Sequence, residues 1–361
     1  MQLKVGDWVR VRSKAEILAT LDKNGRLENL PFMPQMFRYC GQEFQVHKRA
    51  HKTCDTVSGR YDSRSLPGGI HLDLRCDGQA YEGCQAACLI YWKDAWLEPI
   101  GAPSGAKSDH AVAATGPVAA DGTGCTQADV LRATCSLSKD GKKRYSCQAT
   151  ALLDFTQPLP WWDMRQYWED YSSGNTRLSR LLSGAVFVVY YYGTLANRYN
   201  LGRPARWIYT QVQKLRGGIP FPREKGYLRT PSPEPTCDLG LQPGEVVRVK
   251  PYEEILATIN HDSNANRGLY FDAEMVPFCG KEFVVRARID KFIDERTGFV
   301  RRLQTPAVIL EKGYCAACFS DKRMFCPREI FSWWREIWLE RVSEPQRAAP
   351  QRHRELERGA A

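Results

Sequence analysis

Four of the usual sequence marks of an enzyme are missing from this chain. It has no phosphate-cradling Gly-rich loop, no G-x-G-x-x-G dinucleotide fingerprint, no H-E-x-x-H zinc helix and no G-x-S-x-G elbow. These absences remove the commonest nucleotide-binding, metalloprotease and serine-hydrolase readings, though not catalysis as such. The opening residues, Met1-Gln2-Leu3-Lys4-Val5-Gly6-Asp7-Trp8, lack an apolar h-region, so no secretory signal is expected there. Long apolar runs are also scarce. Leu181 to Asn197 carries no charge over 17 residues but includes Ser183, Thr194, Asn197 and three tyrosines. It lies at the lower limit for crossing a bilayer and is not expected to do so.

Sulfur and positive charge are in excess. Thirteen cysteines without an export signal point to free thiols or metal ligands rather than disulfides. The net charge of +10 is uneven: residues 129–240 hold 16 basic against 9 acidic residues, whereas 1–100 and 241–343 are close to neutral. Such a concentration suggests an anionic partner, either lipid headgroups or nucleic acid.

The 361 residues suffice for two or three domains, and an internal repeat organises them. Leu3 to Asp22 aligns with Leu241 to Asn260 without a gap, with ten of twenty positions identical. Cys40-Gly41 and Glu43-Phe44 match Cys279-Gly280 and Glu282-Phe283, and Cys76, Cys84, Trp92 and Trp96 keep the spacing of Cys318, Cys326, Trp334 and Trp338. Each copy reads mostly as β. Val9 and Val11 alternate with Trp8, Arg10 and Arg12, Glu43 to His47 and Lys281 to Arg288 form a second strand, and Ala307 to Leu310 a third. Glu16 to Leu21 reads as a short helical turn burying Ile17 and Leu18. The two tryptophans of each copy, four residues apart, are expected on one face of a short helix.

The expected class is α+β, with two small β-barrel repeats carrying Cys-rich, zinc-knuckle-like insertions around a central helical aromatic and basic segment. The boundaries are 1–100 for the first repeat, 101–127 for a flexible linker, 128–227 for the central region, 228–240 for a Pro-rich join, 241–343 for the second repeat and 344–361 for a disordered tail. The Gly-Asp or Gly-Glu turn into Val-Arg-Val resembles the opening of SH3-like barrels over about a dozen residues. Glu16 to Thr20, Pro31-Phe32-Met33-Pro34, Lys52-Thr53-Cys54-Asp55, Arg75-Cys76-Asp77-Gly78, Arg323 to Arg328 and Trp334 to Glu340 together resemble an uncharacterised bacterial family with duplicated SH3-like, Cys-rich domains. That resemblance implies a setting among sugar-polymer or secondary-metabolite genes and no catalytic residues.

Cys315, Cys318 and Cys326 form a C-x2-C-x7-C pattern that, with Cys279, suits a four-thiolate zinc site. The first copy offers Cys40, Cys76 and Cys84, with Cys54, Cys88 or His71 as a fourth ligand. One or two zinc ions are expected and iron stays open; some of these residues can equally be buried free thiols. His47-Lys48-Arg49-Ala50-His51-Lys52-Thr53-Cys54 has no counterpart in the second copy, so Cys54, with His47 and His51, is the candidate for nucleophilic catalysis. In the centre, Trp161, Met164, Trp168 and Tyr171 share a helical stripe, and Ile208, Val212 and Leu215 share another. Either stripe can form the core of a helical domain, or the segment can lie in a membrane interface through Trp161, Trp162, Trp168, Trp207, Arg198, Arg203, Arg206, Lys214 and Arg216. The expected protein is a cytoplasmic binding or assembly factor with a protein partner, peripheral on an anionic inner membrane face, accessory to polysaccharide or secondary-metabolite biosynthesis. A thiol- or metal-dependent enzyme and a non-specific nucleic-acid binder are the alternatives.

Overall fold

A computed structural model of the chain describes residues 2–60, 62–102, 124–195, 202–216, 218–229, 232–320 and 322–342. Most of the expected linker and the whole expected tail lie outside these residues.

Gly6, at φ +90°, turns the chain into β1 (Trp8–Val11), whose Val9 and Val11 are buried while Arg10 faces out. Next comes α1 (Lys14–Thr20), capped by the Ser13–Glu16 box and buried through Ile17. The strands that follow are short: β2 (Glu43–Gln45), β3 (Lys48–Arg49), β4 (Lys52–Cys54), β5 (Ser63–Ser65), β6 (Gly69–His71), β7 (Trp92–Lys93) and β8 (Leu97–Ile100). They pair antiparallel as β8-β1-β2 and β3-β6-β7. The β4–β5 hairpin gains a third strand, Gln157–Leu159, from the central region.

The centre continues with α2 (Gln127–Ala133), α3 (Leu152–Phe155), α4 (Arg165–Ser172), α5 (Leu178–Leu195) and α6 (Gly202–Arg216). Its first part joins the core of the first repeat through Val130, Tyr145, Leu152 and Phe155. The second repeat has β9 (Val246–Val249), α7 (Tyr252–Leu256), β10 (Glu282–Ile293), β11 (Val300–Tyr314), β12 (Phe331–Arg335) and β13 (Leu339–Arg341), in one sheet of order β12-β11-β10-β9-β13. The fold is therefore mixed α+β with small antiparallel sheets, and no closed barrel forms among the described residues.

The tryptophan pairs differ from the helical expectation. Trp92 and Trp334 sit on strands, and Trp96 and Trp338 end the short 3-10 turns that follow; all four are fully buried. A strand passing into a tight turn aims both rings at one core, which a single helix would do only by lying over it. The indoles of Trp96 and Trp338 donate to Thr20 and Thr258 at 3.0 and 2.9 Å, so the duplicated threonines serve the duplicated tryptophans.

The repeats pack against each other. The Gln85 side chain accepts from the amides of Asp290 and Lys291, both at 2.9 Å, and Arg328 reaches across to the Cys54 carbonyl and the Thr56 hydroxyl.

Candidate functional site

The insertion His47 to Cys54 forms β3 and β4 and meets the central helices. Here the polar side of α4 turns inward: Gln166 and Asp170 are buried. Lys52 Nζ lies 2.6 Å from Asp170 Oδ2, and neither side chain is exposed. Arg49 pairs with Glu169 at 2.8 Å, and the Asn175 side chain both accepts from and donates to the Arg49 backbone. Burial pushes the Lys52 ammonium down and the Asp170 carboxyl up to about 6, each toward its neutral form, while their contact opposes both shifts. His51 is enclosed beside Asp170; burial and Lys52 lower it to about 4.

With the polar side of α4 committed to the first repeat, the aromatic stripe faces outward, and its Trp161, Trp162 and Met164 precede the helix start at Arg165 rather than lying on a helix. Trp162, Met164 and Trp168 are 66–70 % exposed, and Trp161 and Tyr171 about 40 %. The stripe is thus a surface and not the core of a helical domain. Helix α5 docks on the second repeat through Gly184 and Phe187, against Phe319, Met324 and Phe325. A Cβ at Gly184 would lie 2.5 Å from the Phe325 ring. Its other residues, Leu178, Leu182, Val186 and Val189, are exposed, as are Trp207, Ile208, Val212 and Leu215 on α6. A cleft of about 780 Å³ runs between α4 and α5, walled by Trp161, Trp168, Leu182 and Val189 and floored by Phe325. From 171 to 223 the sequence has eight basic residues and no acidic one. Lys214 is exposed, and Arg206 lies 3.8 Å from Glu224. Arg198 and the side chains of Arg203 and Arg216 fall outside the described set.

Beside this face lies a polar cleft of about 190 Å³ where all three parts of the chain meet. Lys48, Asn175, Arg180, Cys315, Cys326 and Glu329 line it. His47 is 2.8 Å from Glu329; burial alone would raise that carboxyl, but His47 and Lys48 hold it below its usual value. Behind the cleft Cys54 packs on Cys326, Cys315 and Ala317. The Cys326 thiol donates to the Cys54 sulfur and, with Arg328 and Arg323 nearby, lowers Cys54 to about 6 against the effect of burial. No hydrogen bond joins Cys54 to His47 or His51 among the described residues, so the three catalytic candidates occupy one junction without forming a catalytic chain.

The expected metal ligands are distributed differently from the sequence reading. Cys279 belongs to the core of the second repeat, where burial pushes its thiol up to about 12, and Cys40 holds the same place in the first. Cys315 and Cys326 instead meet Cys54 of the other repeat. Cys318 turns to Arg180, whose guanidinium donates to its sulfur at 2.8 Å. Cys76, Cys84 and Cys88 share their surroundings with Cys147, a residue that spacing within the repeats could not point to. His71 is fully buried; its Nδ1 lies 2.8 Å from the Ile90 carbonyl oxygen. No three His, Cys, Asp or Glu side chains among the described residues are placed to hold a single ion as they stand.

Sequence reasoning also passed over Asp170, Gln166 and Glu329. The signal available for them was the unmatched basic insertion, whose buried cations require anionic or amide partners elsewhere in the chain. Comparison with protein-family models, curated proteins and solved structures finds no match. No helix among the described residues is long and apolar enough to cross a membrane.

Proposed function

We propose that this protein is a tandem binding or assembly factor that seats itself on an anionic membrane surface through α4, α5 and α6. The exposed apolar face of these helices carries the reading. Single exposed leucines are ordinary, but exposed Trp, Leu, Val and Ile gathered on three successive helices, with α4 and α5 sharing one apolar cleft, are not. Lipid is the occupant that also uses the rest of the composition. Indole rings settle at headgroup depth, aliphatic side chains enter the acyl boundary, and a stretch of 53 residues without an acid meets negative phosphates. The helices are suited to lying in the interface rather than spanning it. Zinc stabilisation and an SH3-like assignment of the repeats belong to the same proposal. The latter is supported by the shared strand order, in which the first strand is flanked by the second and the last. Sedimentation with vesicles tests the reading. Binding to anionic vesicles that weakens with salt and is lost in Trp162→Ser/Trp168→Ser/Leu182→Ser is expected. Equal indifference to anionic and neutral vesicles refutes it, and a self-associating chain insensitive to lipid would identify a second copy as the occupant.

The thiol pair behind the polar cleft favours a second reading, a thiol-dependent enzyme whose nucleophile is Cys54. It requires the buried Cys54 to be alkylated at neutral pH faster than the half-buried Cys40 and Cys279. Equal protection of all three would end it.

A further inference from the structure

The loop between β6 and β7 carries Cys76, Cys84 and Cys88 to the lining of one cavity, and the central region supplies Cys147 to the same lining. The cavity measures about 40 Å³, room for more than a single water. Gly78 makes the loop possible: its φ is +69°, and a Cβ there would lie 1.9 Å from the Cys84 carbonyl oxygen. Donors converge on the sulfurs. The Gly78 amide is directed at Cys76, the Ile293 amide at Cys84 at 3.4 Å, and the Ala149 and Thr150 amides at Cys147. The Gln35 side chain adds a donor to Cys76 at 3.1 Å. A neutral thiol is a weak acceptor and gains little from such an array; a thiolate gains much more. Metal coordination supplies that thiolate, because it displaces the thiol proton. The buried Arg328 guanidinium, also on the cavity wall, supplies positive charge beside the sulfurs.

We propose that Cys76, Cys84, Cys88 and Cys147 hold a metal centre through four thiolates. Cys147 thereby stands in place of Cys40 in the set expected from spacing, with Cys88 rather than Cys54 or His71 as the fourth ligand. The four side chains line one cavity, and a lone zinc ion and an iron–sulfur cluster each take four thiolates. The site uses none of the residues of the membrane face and stands independently of that reading.

The test is elemental analysis of the full chain, purified anaerobically without chelator, for zinc, iron and acid-labile sulfide. Metal is expected in the native protein, reduced by a full site in Cys147→Ser and in Cys88→Ser, and unchanged in Cys40→Ser and Cys279→Ser. Iron with matching sulfide identifies a cluster; zinc without sulfide identifies a single ion. A metal-free native protein, or a metal content that survives Cys147→Ser, overturns the proposal. Should the serine variants fail to fold, the native chain answers by alkylation and mass spectrometry. The four cysteines should become reactive together only on metal removal, while exposed Cys237 reacts throughout. Reaction of the four before chelation, or metal loss that leaves them protected, also overturns it.

Discussion

The two repeats follow one strand order with very different lengths of strand. In the second, β10 and β11 run unbroken for 12 and 15 residues. In the first, the matching pieces β2, β3 and β6 are two or three residues each, because the chain leaves the sheet after Arg49 to build the β4–β5 hairpin. What the copies share is the core: Val9/Val247, Trp92/Trp334, Trp96/Trp338 and the threonines under the indoles. What they do not share is the junction. His47, Lys48, Arg49, His51, Lys52 and Cys54 contact the centre or the second repeat, and none is part of the duplicated pattern. The duplicated residues hold each sheet together, and the unmatched ones join the three parts.

That division can be broken most severely at the tryptophans. Trp96→Ala and Trp338→Ala should each destabilise their own repeat by about 3–5 kcal/mol, since both remove a fully buried indole. Urea denaturation followed by hydrogen exchange would show whether the loss stays within one copy. A comparable effect is expected at the junction, but in the first repeat alone. Asp170→Ala leaves the Lys52 ammonium buried without its counter-charge, a loss of about 3 kcal/mol or more, and Lys52→Met in the same chain should recover much of it. Failure of the double variant to recover would mean that the ion pair is not what binds α4 to β4.

Acid should separate the repeats. His51 and His71 are buried in the first, and burial is the chief cause that lowers His71 to about 3; the second repeat has only the half-exposed His261. The folded state keeps His71 neutral while the unfolded chain takes up a proton below about pH 6.5. Stability therefore falls as pH drops from about 6.5 toward 3, by up to about 1.4 kcal/mol per unit. Asp170 acts in the opposite sense: its raised pKa means that the folded state holds a proton the unfolded chain has already released. His51, lowered to about 4, adds to the same slope, so His71→Gln should reduce the acid slope of the first repeat without abolishing it and leave the second repeat unchanged, read from urea midpoints between about pH 4.5 and 7. The smallest effect belongs to the matched surface charges. Arg10 with Glu43 and Glu98, and Arg248 with Glu282 and Glu340, are exposed, so alanine at either arginine should cost under about 1 kcal/mol and equally in both copies.

Much of the fold was legible because local rules carried it. Glycine at positive φ, alternating valines and the Ser13–Glu16 box act within a few residues, and the same signals are written twice. The tryptophan pair shows the limit: a spacing of four fits a helix, yet a strand followed by a 3-10 turn buries both rings. The candidate site was less legible. The stripe Trp161, Met164, Trp168 and Tyr171 was visible as a stripe, but its direction depends on which side of α4 finds a partner. Lys52 and Arg49 already occupy the inner position and draw Asp170 and Glu169 toward them.

The sequence by itself determined the duplication, the strands and turns of each copy, the positive character of the centre and the unmatched insertion. Each of these depends on neighbours in the chain or on the comparison of one copy with the other. Only the tertiary structure decided that Cys147 stands with Cys76, Cys84 and Cys88, that Cys54 faces Cys326, and that the central aromatic residues look outward. Those outcomes depend on residues far apart in the chain competing for the same buried space, and no period or spacing along the polypeptide records the result of that competition.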